Sequence, residues 1–80
     1  MTYETLFDLI QHWSWQRGLD HASSDKQLIK LTEELGELCQ GHAKQDEDKV
    51  KDSIGDMLVV LTIYCQQEGL SMHECLDEAW

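Results

Sequence analysis

Apolar residues recur at steps of three and four along the first half of the chain, which is the spacing of amphipathic helices. A first helix is predicted from Thr2 to about Arg17, and its apolar stripe consists of Leu6, Leu9, Ile10 and Trp13. A second helix is predicted from Asp25 to Gln40, with Ser23 or Ser24 as its N-cap and Gly41 at its end. Its stripe, typical of a helical bundle, consists of Leu28, Leu31, Leu35 and Leu38.

The pattern changes in the second half, where a third helix is predicted from about Glu47 to Glu68. Between Ile54 and Cys65 it reads IGDMLVVLTIYC, and its apolar residues point in almost every direction. A helix that is apolar all round packs on several sides at once. Because little else in the chain can cover it, we expect part of its surface to meet another subunit. Gly69 ends this helix, and Ser71 caps a short fourth helix that begins at Met72.

No segment alternates with the period of two that marks a strand, so the predicted fold class is all-α, a helical bundle of four helices. The chain contains no proline, which suits uninterrupted helices. Its 80 residues predict one domain, residues 1–80. A chain of this length buries only about 60–65% of the surface that it exposes when unfolded. We therefore expect self-association to complete the core.

Charge excludes several classes of partner. The chain has 6 Lys and Arg residues against 16 Asp and Glu residues, a formal net charge of −10. Nucleic-acid polymers need a basic surface, and anionic membranes repel an acidic one. No apolar run approaches the roughly 20 residues of a membrane span, and no signal-peptide pattern opens the chain. Cys39, Cys65 and Cys75 form no C-x-x-C spacing and are expected to be reduced thiols of a cytoplasmic protein.

The acidic residues indicate the chemistry, because several occupy helix faces that flank or continue an apolar stripe. On the second helix, Glu34 and Glu37 share a narrow sector with Lys30 beside the leucine stripe. On the third helix, Asp52 and Asp56 are four apart. The helix face that carries these two aspartates continues one turn later into core positions, namely Val59, Val60 and Ile63.

Ionised carboxylates on such faces are costly to bury unless something neutralises them, and Lys30 alone cannot balance four. Oxygen ligands from two facing helices are what Mg²⁺ or Mn²⁺ prefers, so we predict a metal site inside the bundle. The alternative is a solvated acidic face, which is the usual interpretation for an acidic run such as Glu33, Glu34 and Glu37 but suits Asp56 poorly. The chain has no Glu-x-x-His pair, H-E-x-x-H motif, EF-hand loop or P-loop.

Two strings carry a resemblance to a known family. KQLIKLTEELGEL (residues 26–38) and KDSIGDMLVVL (residues 51–61) resemble the MazG-type nucleotide pyrophosphohydrolases of the all-α NTP pyrophosphatase group, closest to the small single-domain, phage-like or mobile-element-like members. The family's E-E-x-x-E motif falls on Glu33, Glu34 and Glu37. Its second motif, usually E-x-x-D, falls on residues 53–56, and WSWQRG (residues 13–18) is similar to the family's first-helix ending. The resemblance implies a four-helix bundle of this type, assembled as a homodimer or homotetramer.

This chain departs from the family pattern in two places. Ser53 stands where the family usually has a metal-binding Glu, and Asp52 is expected to take over that role because it also shares a face with Asp56. The relatives also continue beyond the position of Trp80 into a basic stretch that helps to hold phosphates. The domain is therefore expected to be truncated at its C-terminus, so that phosphate binding falls to Lys30, to a partner subunit or to residues that would follow Trp80.

The resemblance implies cleavage of a nucleoside triphosphate to its monophosphate and pyrophosphate, with Mg²⁺ as cofactor and Mn²⁺ as a substitute, in house-cleaning of the nucleotide pool. The expected metal ligands are Glu34, Glu37, Asp52 and Asp56. Glu33 is the candidate catalytic residue that orients or deprotonates the water, with a surface ion pair as the alternative. Three residues are candidates for substrate binding: Lys30 (phosphate, or a salt bridge to Glu34), Gln27, and Trp13 (base stacking, or core).

Two other functions remain open at this stage. One is a catalytically silent relative that binds nucleotide or metal as a sensor. The other is an acidic helical interaction module that dimerises through its third helix and meets a basic partner. The module predicts that Glu37→Gln or Asp56→Asn is harmless or stabilising, whereas the enzyme predicts lost turnover and lost metal-dependent stabilisation.

Overall fold

The structure is a computed structural model that describes residues 1–80. It contains four α-helices: α1 (Tyr3–Gln16), α2 (Asp25–Ala43), α3 (Glu47–Gln67) and α4 (Met72–Ala79). A short 3-10 turn, Leu19–His21, lies between α1 and α2, and there are no strands. The predicted all-α fold is confirmed. None of the helices combines the length and the apolar character that crossing a membrane requires.

α3 is the helix on which the others pack. It forms its most extensive contact with α2, and it also contacts α1, the 3-10 turn and α4. α1 and α2 make no contact with each other, and α4 touches α3 alone. This central position agrees with the apolar residues on every side of α3.

Side-chain caps define where three of the helices begin, namely α1, α3 and α4. The Asp46 carboxylate accepts a hydrogen bond from the backbone N–H of Lys49 at 3.1 Å, at the start of α3. The predicted cap of α4 is confirmed, because Ser71 Oγ accepts from the backbone N–H three residues later. Ser24 occupies the N-cap position of α2 without capping it. Its hydroxyl donates instead to the Glu68 carboxylate, which ties the start of α2 to the end of α3.

The predicted end of α2 at Gly41 is wrong, because the helix continues to Ala43. Gly41 is buried at the close approach of α2 to α3. A Cβ atom built on it would lie 3.2 Å from Lys49 Cβ and 3.2 Å from Val50 Cγ2. The glycine is thus a contact point between two helices rather than a terminator.

Gln45 provides the left-handed residue that ends α2, with φ of 57°. Its N–H donates to the carbonyl of His42 at 3.2 Å, and the next N–H, that of Asp46, donates to the carbonyl of Gly41 at 2.9 Å. This pair of bonds is a Schellman motif with glutamine at the position that glycine usually takes. Segment 44–46 therefore turns the chain sharply enough for α3 to run back along α2.

The buried apolar core is small. Only Val60, Ile63 and Cys65 are buried hydrophobic side chains, and all three belong to α3. Many stripe residues remain between two fifths and a half exposed, namely Leu6, Leu9, Trp13, Leu28, Leu35, Ile54 and Leu58. One chain therefore leaves much of its apolar surface open to solvent.

Candidate active site

Four carboxylates gather where α2 faces the first half of α3. Partial burial raises the pKa of Glu34 above its ordinary value of 4.5, and the nearby carboxylates of Asp56, Glu37 and Asp52 raise it further. The set Glu34, Glu37, Asp52 and Asp56 is called the acidic cluster below. The structure brings together the four residues that the sequence predicts as metal ligands, near enough to repel one another.

A cation that the sequence analysis overlooked pairs with this cluster. Lys49, in the first turn of α3, places its Nζ 3.0 Å from Glu37 Oε2. The same ammonium donates a hydrogen bond to Gln40 Oε1 at 2.9 Å. The helical period contained the signal, since Lys49 precedes Asp56 by seven residues and shares its face of α3.

The carboxylate oxygens of the acidic cluster are candidate ligands for a divalent metal ion. Carboxylate oxygens are hard donors of the kind that Mg²⁺ and Mn²⁺ prefer, and their mutual repulsion is what a divalent cation relieves. No three Asp, Glu, His or Cys side chains lie close enough together to share an ion, however. The acidic cluster fits such an ion in chemistry and charge, and its side chains have to rotate inward to hold one.

Ser53 and Asp52 differ in their surroundings. Ser53, at the position where the resemblance leads us to expect a metal-binding Glu, is 2% exposed. Asp52 is exposed, and its charge acts on the carboxyl of Glu34. Of the two, only Asp52 adds a carboxylate to the acidic cluster, in the place that the sequence analysis expects.

The other predicted residues of α2 precede the acidic cluster along the helix. Glu33 and Lys30 are exposed and form no ion pair, so the alternative of a salt bridge between Lys30 and Glu34 is absent. Gln27 is 6% exposed, two turns before Glu34. Lys30 is thus free to meet a ligand, whereas Gln27 is covered.

Trp13 lies on α1, away from the contact between α2 and α3. It is 42% exposed, and the guanidinium carbon of Arg17 lies 4.3 Å from the centre of its ring. With Leu6, Leu9, Ile10 and Val59 it lines a shallow apolar groove between α1 and α3. The backbone of α1 does not come close to that of α2, so Trp13 belongs to the α1–α3 side of the molecule rather than to the side that carries the glutamates of α2.

Comparison with known proteins places this arrangement in a family. The family described as phosphoribosyl-ATP pyrophosphohydrolase matches residues 5–79, nearly the whole chain. The chain belongs to the phosphoribosyl-ATP pyrophosphohydrolase family. This family is part of the all-α NTP pyrophosphatase superfamily, to which the MazG proteins also belong. The predicted superfamily is therefore confirmed, and the phosphoribosyl-ATP pyrophosphohydrolase family is one of hydrolases that act on acid anhydrides.

One relative comes from a bacteriophage. The chain is 46% identical over 68 residues to an uncharacterized 18.2 kDa protein in the rep-hol intergenic region of Haemophilus phage HP1. The match covers 84% of this chain and 42% of the phage protein, so the chain spans about two fifths of that relative. No solved structure matches the chain significantly.

Proposed function

We propose that the chain is a MazG-type nucleoside triphosphate pyrophosphohydrolase that depends on Mg²⁺ and converts a (d)NTP and water to a (d)NMP and pyrophosphate. The observation that carries the proposal is the acidic cluster, four carboxylates on two facing helices in a member of a pyrophosphohydrolase family. Isolated acids on a solvated face would not need to lie so close together. A bound cation would offset the repulsion between these four carboxylates.

In this proposal Glu34, Glu37, Asp52 and Asp56 would hold the metal. A divalent cation there supplies charge neutralisation and stabilises the negative charge that builds on the attacked phosphate. Glu33 is exposed and unpaired one residue before Glu34, and it would orient or deprotonate the attacking water. Lys30, also unpaired, would meet a phosphate oxygen.

A second substrate is favoured by the family match. The family is named for phosphoribosyl-ATP, and releasing pyrophosphate from that compound breaks the same kind of phosphate anhydride as in a nucleoside triphosphate. The proposed chemistry is thus common to both substrates, and the difference lies in what surrounds the base and ribose. The half-exposed Trp13 is the aromatic residue proposed to stack on a base, with the site completed by a partner subunit.

The experiment incubates the protein with each common dNTP, with the ribonucleotides and with phosphoribosyl-ATP, in the presence of Mg²⁺ or EDTA. Products are separated by anion-exchange chromatography. Monophosphate and pyrophosphate formed only with Mg²⁺ are the expected products. Diphosphate and orthophosphate would show a hydrolase that cuts a different bond, and a nucleotide that binds with Mg²⁺ but stays intact would identify a silent sensor.

Two variants connect the products to the acidic cluster. Asp56→Asn and Glu37→Gln should each lower turnover by about 100-fold or more, as is usual when a metal ligand is lost. Asp48→Asn removes the same charge from the first turn of α3, outside the acidic cluster, and should leave turnover within about twofold. Equal turnover in all three variants would place the catalytic site outside the acidic cluster. A parent protein without turnover, stabilised by Glu37→Gln or Asp56→Asn, would favour the acidic interaction module instead.

A further inference from the structure

The ion pair between Lys49 and Glu37 is the one salt bridge in which a Lys or Arg meets the acidic cluster. The chain's other Lys or Arg bridge joins Lys51 to Glu47 at 3.5 Å, outside the cluster. The Lys49 side chain is 28% exposed, against 72% for Lys51. Lys49 is thus a mostly covered cation at the edge of four carboxylates, and a second of its three N–H donors is used by Gln40 Oε1.

The aliphatic part of the Lys49 side chain, called its stem below, is held in place as well as its ammonium. Its Cβ and Cγ atoms lie over Gly41, where α2 and α3 approach most closely. Gly41 has no side chain, which leaves room for this stem. The side chain of Lys49 therefore extends from α3 to α2, where its ammonium meets Glu37. Few rotamers are available to a side chain fixed at both ends, so the ammonium stays beside the cluster.

The positive charge of Lys49 affects how a second cation can bind to the acidic cluster. An ammonium beside Glu37 offsets one of the four negative charges and leaves the rest to repel one another. A divalent ion bound through Glu37 would lie within a few ångströms of that ammonium, and the two cations would repel each other, with part of the repulsion screened by water because the Glu37 side chain is 54% exposed. The carboxylate of Glu37 can therefore form a full ion pair with Lys49 or bind the metal ion fully, but it cannot do both.

We propose that Lys49 is the built-in counter-cation of the acidic cluster, which holds Glu37 while no metal is bound and must release it when a divalent cation binds. This inference rests on the proposed function, because it assumes that the acidic cluster binds a metal. Lys49 is in this sense a positioning residue that sets metal affinity.

The test titrates the whole chain with Mn²⁺ by isothermal calorimetry and follows thermal unfolding in EDTA and in Mn²⁺. Lys49→Met keeps the stem over Gly41 and removes the charge. We expect it to bind Mn²⁺ about tenfold more tightly than the parent protein. It should melt at a lower temperature in EDTA, because Glu37 loses its partner, and should gain more from Mn²⁺.

Two further variants separate this role from a merely structural one. Lys49→Arg keeps the positive charge and should keep the parent affinity for Mn²⁺. Lys51→Met removes an equal charge from the Glu47 pair and should leave that affinity unchanged. A structural ion pair alone would lower the melting temperature of Lys49→Met with no gain in Mn²⁺ affinity, and that result overturns the inference while leaving the proposed function standing. Absence of Mn²⁺ binding by every protein, including the parent, would overturn the proposed metal site and the inference with it.

Discussion

Glu34 lies half-covered on α2 with three other carboxylates around it, and its ionisation is therefore linked to folding. Partial burial and the charges of Asp56, Glu37 and Asp52 raise the pKa of Glu34 above 4.5. The folded chain then holds this proton more tightly than the unfolded chain does. Proton binding by Glu34 therefore stabilises the folded chain. This contribution to the free energy of unfolding is fully present below pH 4.5 and is lost as the pH rises through the higher pKa of the folded state.

Glu34→Gln tests this linkage in the absence of metal. The amide cannot ionise, so we expect the variant to be more stable than the parent at neutral pH and equally stable at a pH below the ordinary glutamate value. The measurement is urea unfolding in EDTA across that pH range. Glu33→Gln removes the same charge from a neighbouring exposed position outside the acidic cluster and should change the stability at neutral pH less than Glu34→Gln does. A parent protein whose stability does not fall over this interval would contradict the assigned repulsion.

Gln45 carries a local strain that a single substitution removes. Its φ of 57° lies in the left-handed region, where a side chain costs about 1 kcal/mol relative to glycine. Gln45→Gly should therefore raise the free energy of unfolding by about 0.5–1 kcal/mol, after allowance for the greater entropy of the unfolded glycine. Urea unfolding measures the change, and Gln45→Ala, which keeps a Cβ atom, should show no comparable gain.

At the scale of helices, the α2–α3 contact depends on the absence of one side chain. Gly41→Ala places a Cβ atom 3.2 Å from both Lys49 Cβ and Val50 Cγ2, atoms close to the backbone of α3 that cannot move aside easily. We expect the two helices to shift apart and the protein to lose about 1–2 kcal/mol of stability, despite alanine's higher helix propensity.

Gly36→Ala is the matched comparison in the same helix. Nothing lies within 4 Å of a Cβ atom built on Gly36, so this variant should gain about 1 kcal/mol from helix propensity alone. Opposite signs for the two substitutions, measured by thermal unfolding in EDTA, would identify the close approach as the cause. A gain in both would show that α3 yields to the added methyl group.

Most of the helices follow from local pattern, and the exceptions have physical causes. The predicted third helix, Glu47 to Glu68, differs from the observed one by a single residue at its end. The predicted end at Gly41 fails because the reason for that glycine lies across the interface with α3, which spacing within α2 does not reveal. The acidic cluster is foreseeable because its members repeat at helical intervals. The same period places Lys49 on the face of Asp56, but its pairing with Glu37 depends on how α2 and α3 are aligned.

At the scale of the whole molecule, the small core bears on assembly. Leu58 is 39% exposed in the wide apolar groove that α1, α3 and α4 leave between them, where Phe7, Leu61 and Leu76 are also found. We predict that the chain forms a homodimer or homotetramer that covers such surface. Light scattering at micromolar concentration should give the mass of at least two chains, and a uniform monomer would contradict this prediction.

Leu58→Glu examines whether that groove takes part in assembly. An ionised side chain is costly to bury, so the variant should shift the scattering mass towards the single chain. Gln16→Glu adds the same charge at an exposed position on α1 and should leave the mass unchanged. If both variants keep the parent mass, the interface lies on another of the open apolar faces.

The short connection between α2 and α3 also bears on the order in which the molecule forms. Only segment 44–46 separates the two helices, so little chain entropy is lost when their ends meet. Neither α1 nor α4 contacts α2, and the hairpin can close before they dock. If the hairpin closes first, the four carboxylates are gathered at an early step of folding, and Lys49 arrives with them on the same hairpin. The neutralising charge then reaches the acidic cluster at the same step as the repulsion that it offsets.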